Sequence, residues 1–210
     1  MFMASLDNLV VTNALPVIRA DLGATLEELT WTVNAYTLTF ASCILMSSAL
    51  ADRFGRRSVF LLGVFIFTAS SAWCGISDNI GALITARTLQ GIGGSAVMPL
   101  SLALLSTSVP ERLRATAIGI WGGVAGLGVA LGPLIGGAVV EGMNWHAIFW
   151  INVPFGLLCI PLVWITIPES RGRPEPLDFL GLALVGIGLF GITYGIVRGN
   201  DAGWTSAEVL

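Results

Sequence analysis

Two ionisable residues interrupt long apolar stretches, where a charge is costly and its presence needs a reason. The first is Asp7, in Leu6-Asp7-Asn8-Leu9-Val10-Val11-Thr12-Asn13-Ala14-Leu15-Pro16. Read as a helix rising ~1.5 Å per residue, this stretch places Asp7 roughly 15 Å from its far end. An acid at that depth of a bilayer costs at least ~2.5 kcal/mol, so it must face a cavity, meet a partner or carry a proton. A carboxyl group so placed is suited to taking up and releasing protons. The plainer alternative is a residue near a frayed N-terminus that reaches the interface.

The second is Arg87, in Leu83-Ile84-Thr85-Ala86-Arg87-Thr88-Leu89-Gln90-Gly91-Ile92-Gly93-Gly94. It lies roughly 10 Å deep in its own helix, nearly level with Asp7. Arginine does not deprotonate, so it needs an acceptor or water. Arg87, Gln90, Gly91, Gly94 and Met98 fall on one helical stripe, by the three- and four-residue spacing of a helix face. A polar and small-residue stripe suits a water-filled cavity, and Asn13, Gln90, Gly94 and Met98 are the expected lining of a substrate cavity. The alternative is a structural arginine bonded to carbonyls of neighbouring helices.

Two backbone features would move such groups. Ser48-Ala49-Leu50-Ala51-Asp52-Arg53-Phe54-Gly55-Arg56-Arg57 must reverse the chain in very few residues. Gly55 can adopt the positive φ that such a turn requires. Asp52 is placed to cap the next helix or to bond arginine. By charge alone, a short loop with topogenic arginines explains the stretch equally well. Farther on, Gly128, Gly132 and Gly136 recur every four residues beside Pro133 and Gly137. That spacing lets helix backbones approach closely, and the proline removes one internal bond. Tight packing and a flexing helix at a moving interface are both consistent with it.

The remaining polar residues say less. His146 beside Trp145 reads as interfacial, and Asn152-Val153-Pro154 as a kink. Cys43, Cys74 and Cys159 lie singly in apolar runs and read as small core residues. With one histidine in the chain, no metal pair and no base for Ser95, an intramembrane enzyme is not expected.

The elements that must position these groups follow from composition. Of 210 residues, 55% are hydrophobic and 11% charged, with a mean hydropathy of +0.84. A soluble domain carries roughly 25% charged residues, so the solvent for this chain is a bilayer. No basic block points to nucleic acid. Continuous apolar runs give an all-α, polytopic membrane protein with predicted spans at about 1–18, 30–50, 58–76, 80–106, 115–140, 146–167 and 178–198. Residues of about 168–177 and 199–210 are connectors. The first run is short for a span of ~20 residues and the chain stops in a polar connector, which predicts a truncated chain.

Connectors alternate in charge. Arg53, Arg56 and Arg57, then Arg112 and Arg114, then Arg171 and Arg173 share one side. Asp21, Glu27, Glu28, Asp78 and Glu141 share the other, with Arg19. The positive-inside rule puts the first set, and the N-terminus, in the cytoplasm. Trp31, Trp145 and Trp204 then fall at outer ends, where an aromatic belt belongs.

Taken in order, these stretches resemble the major facilitator superfamily. Ser48 to Arg57 is similar to its loop 2-3 signature, with Ser48 where glycine is usual. Arg87 to Gly94 matches the helix 4 signature R-x-x-q-G-x-g, and Gly128 to Gly137 the antiporter signature of helix 5. Leu6 to Pro16 and Trp145 to Gly156 resemble motifs of the fourteen-helix drug:proton antiporters, the EmrB/QacA type, with His146 where arginine is usual. The resemblance implies a six-helix N-terminal bundle over about 1–167, followed by a seventh transmembrane helix.

It further implies a proton-coupled antiporter of the inner membrane, not an enzyme, exporting drugs or other amphipathic small molecules. Asp7 and Arg87 would serve proton coupling and relay. Asp52, Arg53, Gly55, Arg56 and Arg57 would form a conformational latch. Gly128, Gly132, Pro133, Gly136 and Gly137 would mark the antiporter helix. The proton gradient stands in place of a cofactor. The partners implied are a small-molecule substrate, the lipid bilayer and a missing C-terminal half. Export of one metabolite or siderophore is the alternative within this class. A non-transporting membrane scaffold or an inactive truncated fragment is the alternative outside it.

Overall fold

A computed structural model describes residues 1–142, 144–172 and 179–202. Among the described residues eight helices follow one another: α1 (Phe2–Leu22), α2 (Leu26–Phe54), α3 (Arg56–Cys74), α4 (Ile80–Ser108), α5 (Glu111–Gly142), α6 (Ala147–Trp150), α7 (Asn152–Thr166) and α8 (Phe179–Ala202). There is no strand among the described residues. Arg173, Trp204 and the connector stretches 173–178 and 203–210 lie outside them, as does the side chain of Arg198.

Local chemistry sets the helix ends. Gly23, at φ 61°, stops α1 in the left-handed region, where a side chain would strain. Thr25 then opens α2 with a reciprocal cap. Its hydroxyl accepts from the Glu28 N–H at 3.3 Å, and the Glu28 carboxylate accepts from the Thr25 N–H at 2.8 Å. Gly55, at φ 117°, makes the one-residue reversal into α3. Asn79 caps α4 by accepting from the Ala82 N–H at 2.8 Å.

Among the described residues, six helical segments are long and apolar enough to cross a membrane: Leu26–Phe54, Arg56–Cys74, Ile80–Ser108, Glu111–Ala138, Ala147–Thr166 and Leu180–Val197. Helix α1 is absent from that set although it has 21 residues. Asp7, Asn8, Asn13 and Arg19 dilute its hydropathy. It also runs past the predicted end, taking Arg19 and Asp21 into its last turns. The sixth span is divided at Ile151 into α6 and α7. Pro154 has no N–H for a carbonyl one turn earlier, and the division falls there.

The outside of the bundle is apolar, unlike that of a soluble domain, and its largely apolar interior encloses a polar cluster. Leu157, Leu158, Ile165 and Leu180 are exposed, while Asp7, Arg87, Gln90 and Asn152 are buried. Lipid tails are as apolar as leucine, so close packing and hydrogen bonds must join the helices. Helix α4 sits between α2 and α3. A Cβ on Gly93 would lie 2.8 Å from the Gly63 carbonyl oxygen of α3. On its other side, Thr39 of α2 donates to the Thr88 carbonyl at 3.0 Å, and Ser47 and Ser95 share a 2.8 Å bond.

Helices α1 and α5 pair in parallel through one glycine stripe. A Cβ on Gly128 would lie 3.1 Å from Ser5 Cβ, one on Gly132 2.8 Å from Leu9 Cβ, and one on Gly136 3.0 Å from Asn13 Cβ. Gly119, Gly122, Gly123, Gly126 and Gly137 meet nothing within 4 Å. The helix runs unbroken through Pro133. Helix α8 lies against α2, antiparallel, with Trp31 and Tyr194 ring centroids 5.9 Å apart.

Candidate functional site

Asp7 and Arg87 meet at the centre of the bundle. The Asp7 carboxylate is 2% exposed and Arg87 is 0% exposed. Asp7 Oδ2 accepts from Arg87 Nη1 in a buried salt bridge. Asp7 Oδ1 accepts from Asn152 Nδ2 at 2.7 Å and from Gln90 Nε2 at 3.0 Å. Gln90 turns its other end to the cation, taking Arg87 Nη1 at 2.7 Å on Oε1. Arg87 Nε donates to the Thr32 carbonyl at 3.2 Å. Ser71 Oγ accepts from Asn152 at 3.0 Å and Gln90 at 3.3 Å, and donates to the Phe149 carbonyl at 3.0 Å.

This arrangement meets the conditions for burying charge. An ion pair in a low-dielectric interior is tolerable only with good geometry and satisfied lone pairs. Asp7 has both oxygens occupied, and its donors come from α4 and α7. Two groups remain without partners, Arg87 Nη2 and Asn152 Oδ1. The Arg87 guanidinium instead lies 4.4 Å from the centroid of the Tyr36 ring, a cation–π contact.

A cavity of about 450 Å³ lies beside the cluster. Helix α1 contributes Ala4, Ser5, Asn8 and Leu9, and α2 contributes Tyr36, Thr37 and Phe40. Met98 of α4 and Val129 of α5 complete the lining. No ionised side chain is in it. Its size is that of a small-molecule pocket.

Of the residues predicted to line a cavity, Met98 does so. Gln90 belongs to the buried ion cluster, and Gly94 is covered by Tyr36, whose hydroxyl oxygen would lie 2.9 Å from a Cβ there. Asn13 faces Gly136 of α5 and is outside this lining. The Arg87-to-Gly94 stripe is therefore a packed seam rather than a wetted wall. Close approach of α2 and α3 to the α4 glycines fills the space that water would need.

The chain reversal at Gly55 also differs in detail. Asp52 bonds arginine as one option foresaw, accepting from Arg56 Nε and Nη2 at 2.8 Å. It does not cap α3. Glu169 does, from across the chain, accepting the N–H of Arg57 at 2.8 Å and of Ser58 at 3.1 Å, and the Ser58 hydroxyl. Burial alone would raise the Glu169 pKa. The Ser58 hydroxyl and the N–H groups of Arg57, Ser58 and Ser170 outweigh that and hold it below the usual carboxylate range. Arg57 also donates to the Ile167 carbonyl at 3.0 Å and lies 5.0 Å from the Trp164 ring centroid. Arg53 lies 5.7 Å from the ring of Phe54.

Trp145 is not a belt residue. It is 1% exposed and donates to Asp21 Oδ2 at 2.7 Å. His146 stacks on it and bonds the Ser77 carbonyl through Nε2 at 3.2 Å. Sequence reasoning missed Asn152, Ser71, Tyr36 and Glu169. An amide inside an apolar span is a usable signal for Asn152. Nothing in spacing announces that Glu169 returns to α3.

The model of the Major Facilitator Superfamily matches residues 1–207. The tetracenomycin C resistance and export protein of Streptomyces glaucescens is 37% identical over 212 residues, covering 100% of this chain and 39% of that protein. The multidrug resistance protein Stp of Mycobacterium tuberculosis is 38% identical over 212 residues, covering 100% of this chain and 40% of that protein. The crystal structure of the human organic anion transporter MFSD10 (TETRAN) superimposes with a TM-score of 0.66 at 18% identity, over 94% of this chain and 54% of that one. The chain thus spans about two fifths of the length of these two curated relatives.

Proposed function

The chain belongs to the major facilitator superfamily, and from that membership we propose that it forms the N-terminal part of a proton-coupled exporter of amphipathic small molecules. It is a multi-pass membrane protein. The observation that carries the reading is the Asp7–Arg87 pair, buried and beside a cavity with no charged lining. A carboxylate sealed among Arg87, Gln90 and Asn152 changes its partners when it takes a proton. It gains an O–H donor, loses its negative charge and leaves Arg87 as the uncompensated charge. The helices that supply the cluster or its cover would then repack, which is the step alternating access requires.

The lining supports the substrate class. Tyr36, Phe40, Met98 and Leu9 offer apolar and aromatic surface, and Ser5, Asn8 and Thr37 offer neutral hydrogen-bonding groups. An amphipathic, ring-bearing molecule fits that chemistry. The names of the two relatives, an export protein and a multidrug resistance protein, support export of small molecules. The remainder of the cavity would come from a C-terminal half.

The loop and turn features fit the same reading. Arg53, Arg56 and Arg57 lie at the bundle end that carries Ser170 and Arg171, since Arg56 N–H bonds the Ser170 carbonyl at 2.8 Å. A single arginine-rich end supports a cytoplasmic N-terminus in the inner membrane. The Asp52–Arg56 pair would be part of a cytoplasmic latch, and the Gly128–Gly132–Gly136 stripe the seat on which α1 moves against α5.

The test is dye efflux from everted vesicles carrying the full-length protein, with and without a proton gradient. Gradient-dependent efflux lost in both Asp7→Asn and Arg87→Ala, with normal insertion, is the expected result. Undiminished gradient-driven efflux in Asp7→Asn would overturn the assignment.

A further inference from the structure

We infer that Tyr36 is the residue through which the occupied cavity acts on the buried Asp7–Arg87 pair, so that it sets the coupling between substrate and proton rather than substrate affinity alone. This rests on the transport reading above and adds a positioning residue to it.

Tyr36 belongs to two environments at once. It lines the cavity, and its ring lies 4.4 Å from the Arg87 guanidinium carbon. The Arg87 nitrogen Nη2 has no hydrogen-bond partner although it is fully buried. The ring face therefore supplies attraction that a hydrogen-bond acceptor would otherwise provide. No other lining residue has a hydrogen bond, ion pair or ring contact with Arg87 among those described. Phe40, the next ring along α2, stacks on Tyr36 at 6.0 Å and also lines the cavity, one turn farther from the ion pair.

The consequence is a mechanical link with a chemical basis. A molecule in the cavity presses on Tyr36 and Phe40. Shifting the Tyr36 ring removes the cover from Arg87 and weakens the cation's hold beside Asp7. Protonation of Asp7 loosens Arg87 from the other side. The two events act on one guanidinium, so each alters the free energy of the other. A desolvated cation–π contact corresponds to a bias on the order of tenfold in an equilibrium. That sets the size of the coupling the ring can transmit.

Full-length protein in proteoliposomes tests this with Tyr36→Leu, Tyr36→Phe and Phe40→Leu. A fluorescent cationic dye is followed in two modes, gradient-driven accumulation and counterflow without a gradient. Tyr36→Leu is expected to lower the accumulation ratio about tenfold more than it lowers counterflow. Tyr36→Phe, which keeps the ring, is expected to keep the wild-type ratio of accumulation to counterflow. Phe40→Leu is expected to lower both modes in proportion. If Tyr36→Leu does not insert, Tyr36→Met replaces the ring with a flexible chain of similar reach and is read in its place.

Unchanged coupling in the ring-less variant would overturn the inference and assign transmission to α1, which carries Asp7 and four lining residues. Proportional loss of both modes in a folded Tyr36→Leu protein would also overturn it, leaving Tyr36 as a binding residue only. Wild-type protein that shows counterflow without gradient dependence would instead defeat the proton-coupling reading itself.

Discussion

Replacing Gly132 by alanine should separate α1 from α5 and disturb the ion pair without touching it. The new Cβ would lie 2.8 Å from Leu9 Cβ, whereas carbon atoms rest at roughly 3.5–4.0 Å. About 1 Å must be found. Leu9 Cβ is fixed to the α1 backbone, so a rotamer change cannot supply it. The helix must shift, and overpacking of this kind costs roughly 1–3 kcal/mol. Asp7 is two residues away on the same helix. Its 2.7 Å bond from Asn152 would stretch toward ~3.5 Å, beyond hydrogen-bonding range.

Two readouts on the full-length protein check this: thermal unfolding in detergent and gradient-driven efflux in vesicles. Gly132→Ala should lower both. Gly137→Ala is the internal control, because a Cβ there meets nothing within 4 Å, and it should change stability by less than about 0.5 kcal/mol. Equal losses in the two variants, or none in Gly132→Ala, would refute the parallel α1–α5 seam as the determinant of Asp7 placement.

The buried pair predicts non-additive losses. Asp7→Asn alone leaves Arg87 charged and uncompensated and should destabilise by roughly 3–5 kcal/mol, whereas Asp7→Asn with Arg87→Gln should recover much of it by thermal unfolding. At the arginine-rich end, Glu169→Ala should remove the α3 cap at a cost of about 0.5–2 kcal/mol, read as a lower unfolding temperature. Because the folded Glu169 pKa is depressed, its contribution is present above the unfolded carboxylate pKa of about 4.3 and is lost as pH falls through the lower folded value. Wild type should therefore lose stability in that acid window, and Glu169→Gln should lose less.

Much of this protein is written one residue after another. Helix lengths and charge alternation follow from hydrocarbon thickness and topogenic arginine, which act on the chain locally. The depths of Asp7 and Arg87 came from the same one-dimensional ruler, and their near-equal level is why they meet. Gly55 announced its turn because only a residue without Cβ accepts φ 117° there.

Which residues would complete the site was not legible in that way. Asn152 reaches Asp7 across 145 positions, and Glu169 reaches Arg57 across 112. Spacing places a residue on a helix face, but it does not state how that helix is rotated or which helix stands beside it. Gln90 and Gly94 illustrate the loss. Their polar and small stripe suits water or a neighbouring helix equally well by period alone. The close approach of α2 to Gly91 and Gly94, and of α3 to Gly93, decided for the helix. The bilayer dictated the spans, while side-chain packing and the need of a buried carboxylate for donors chose the neighbours.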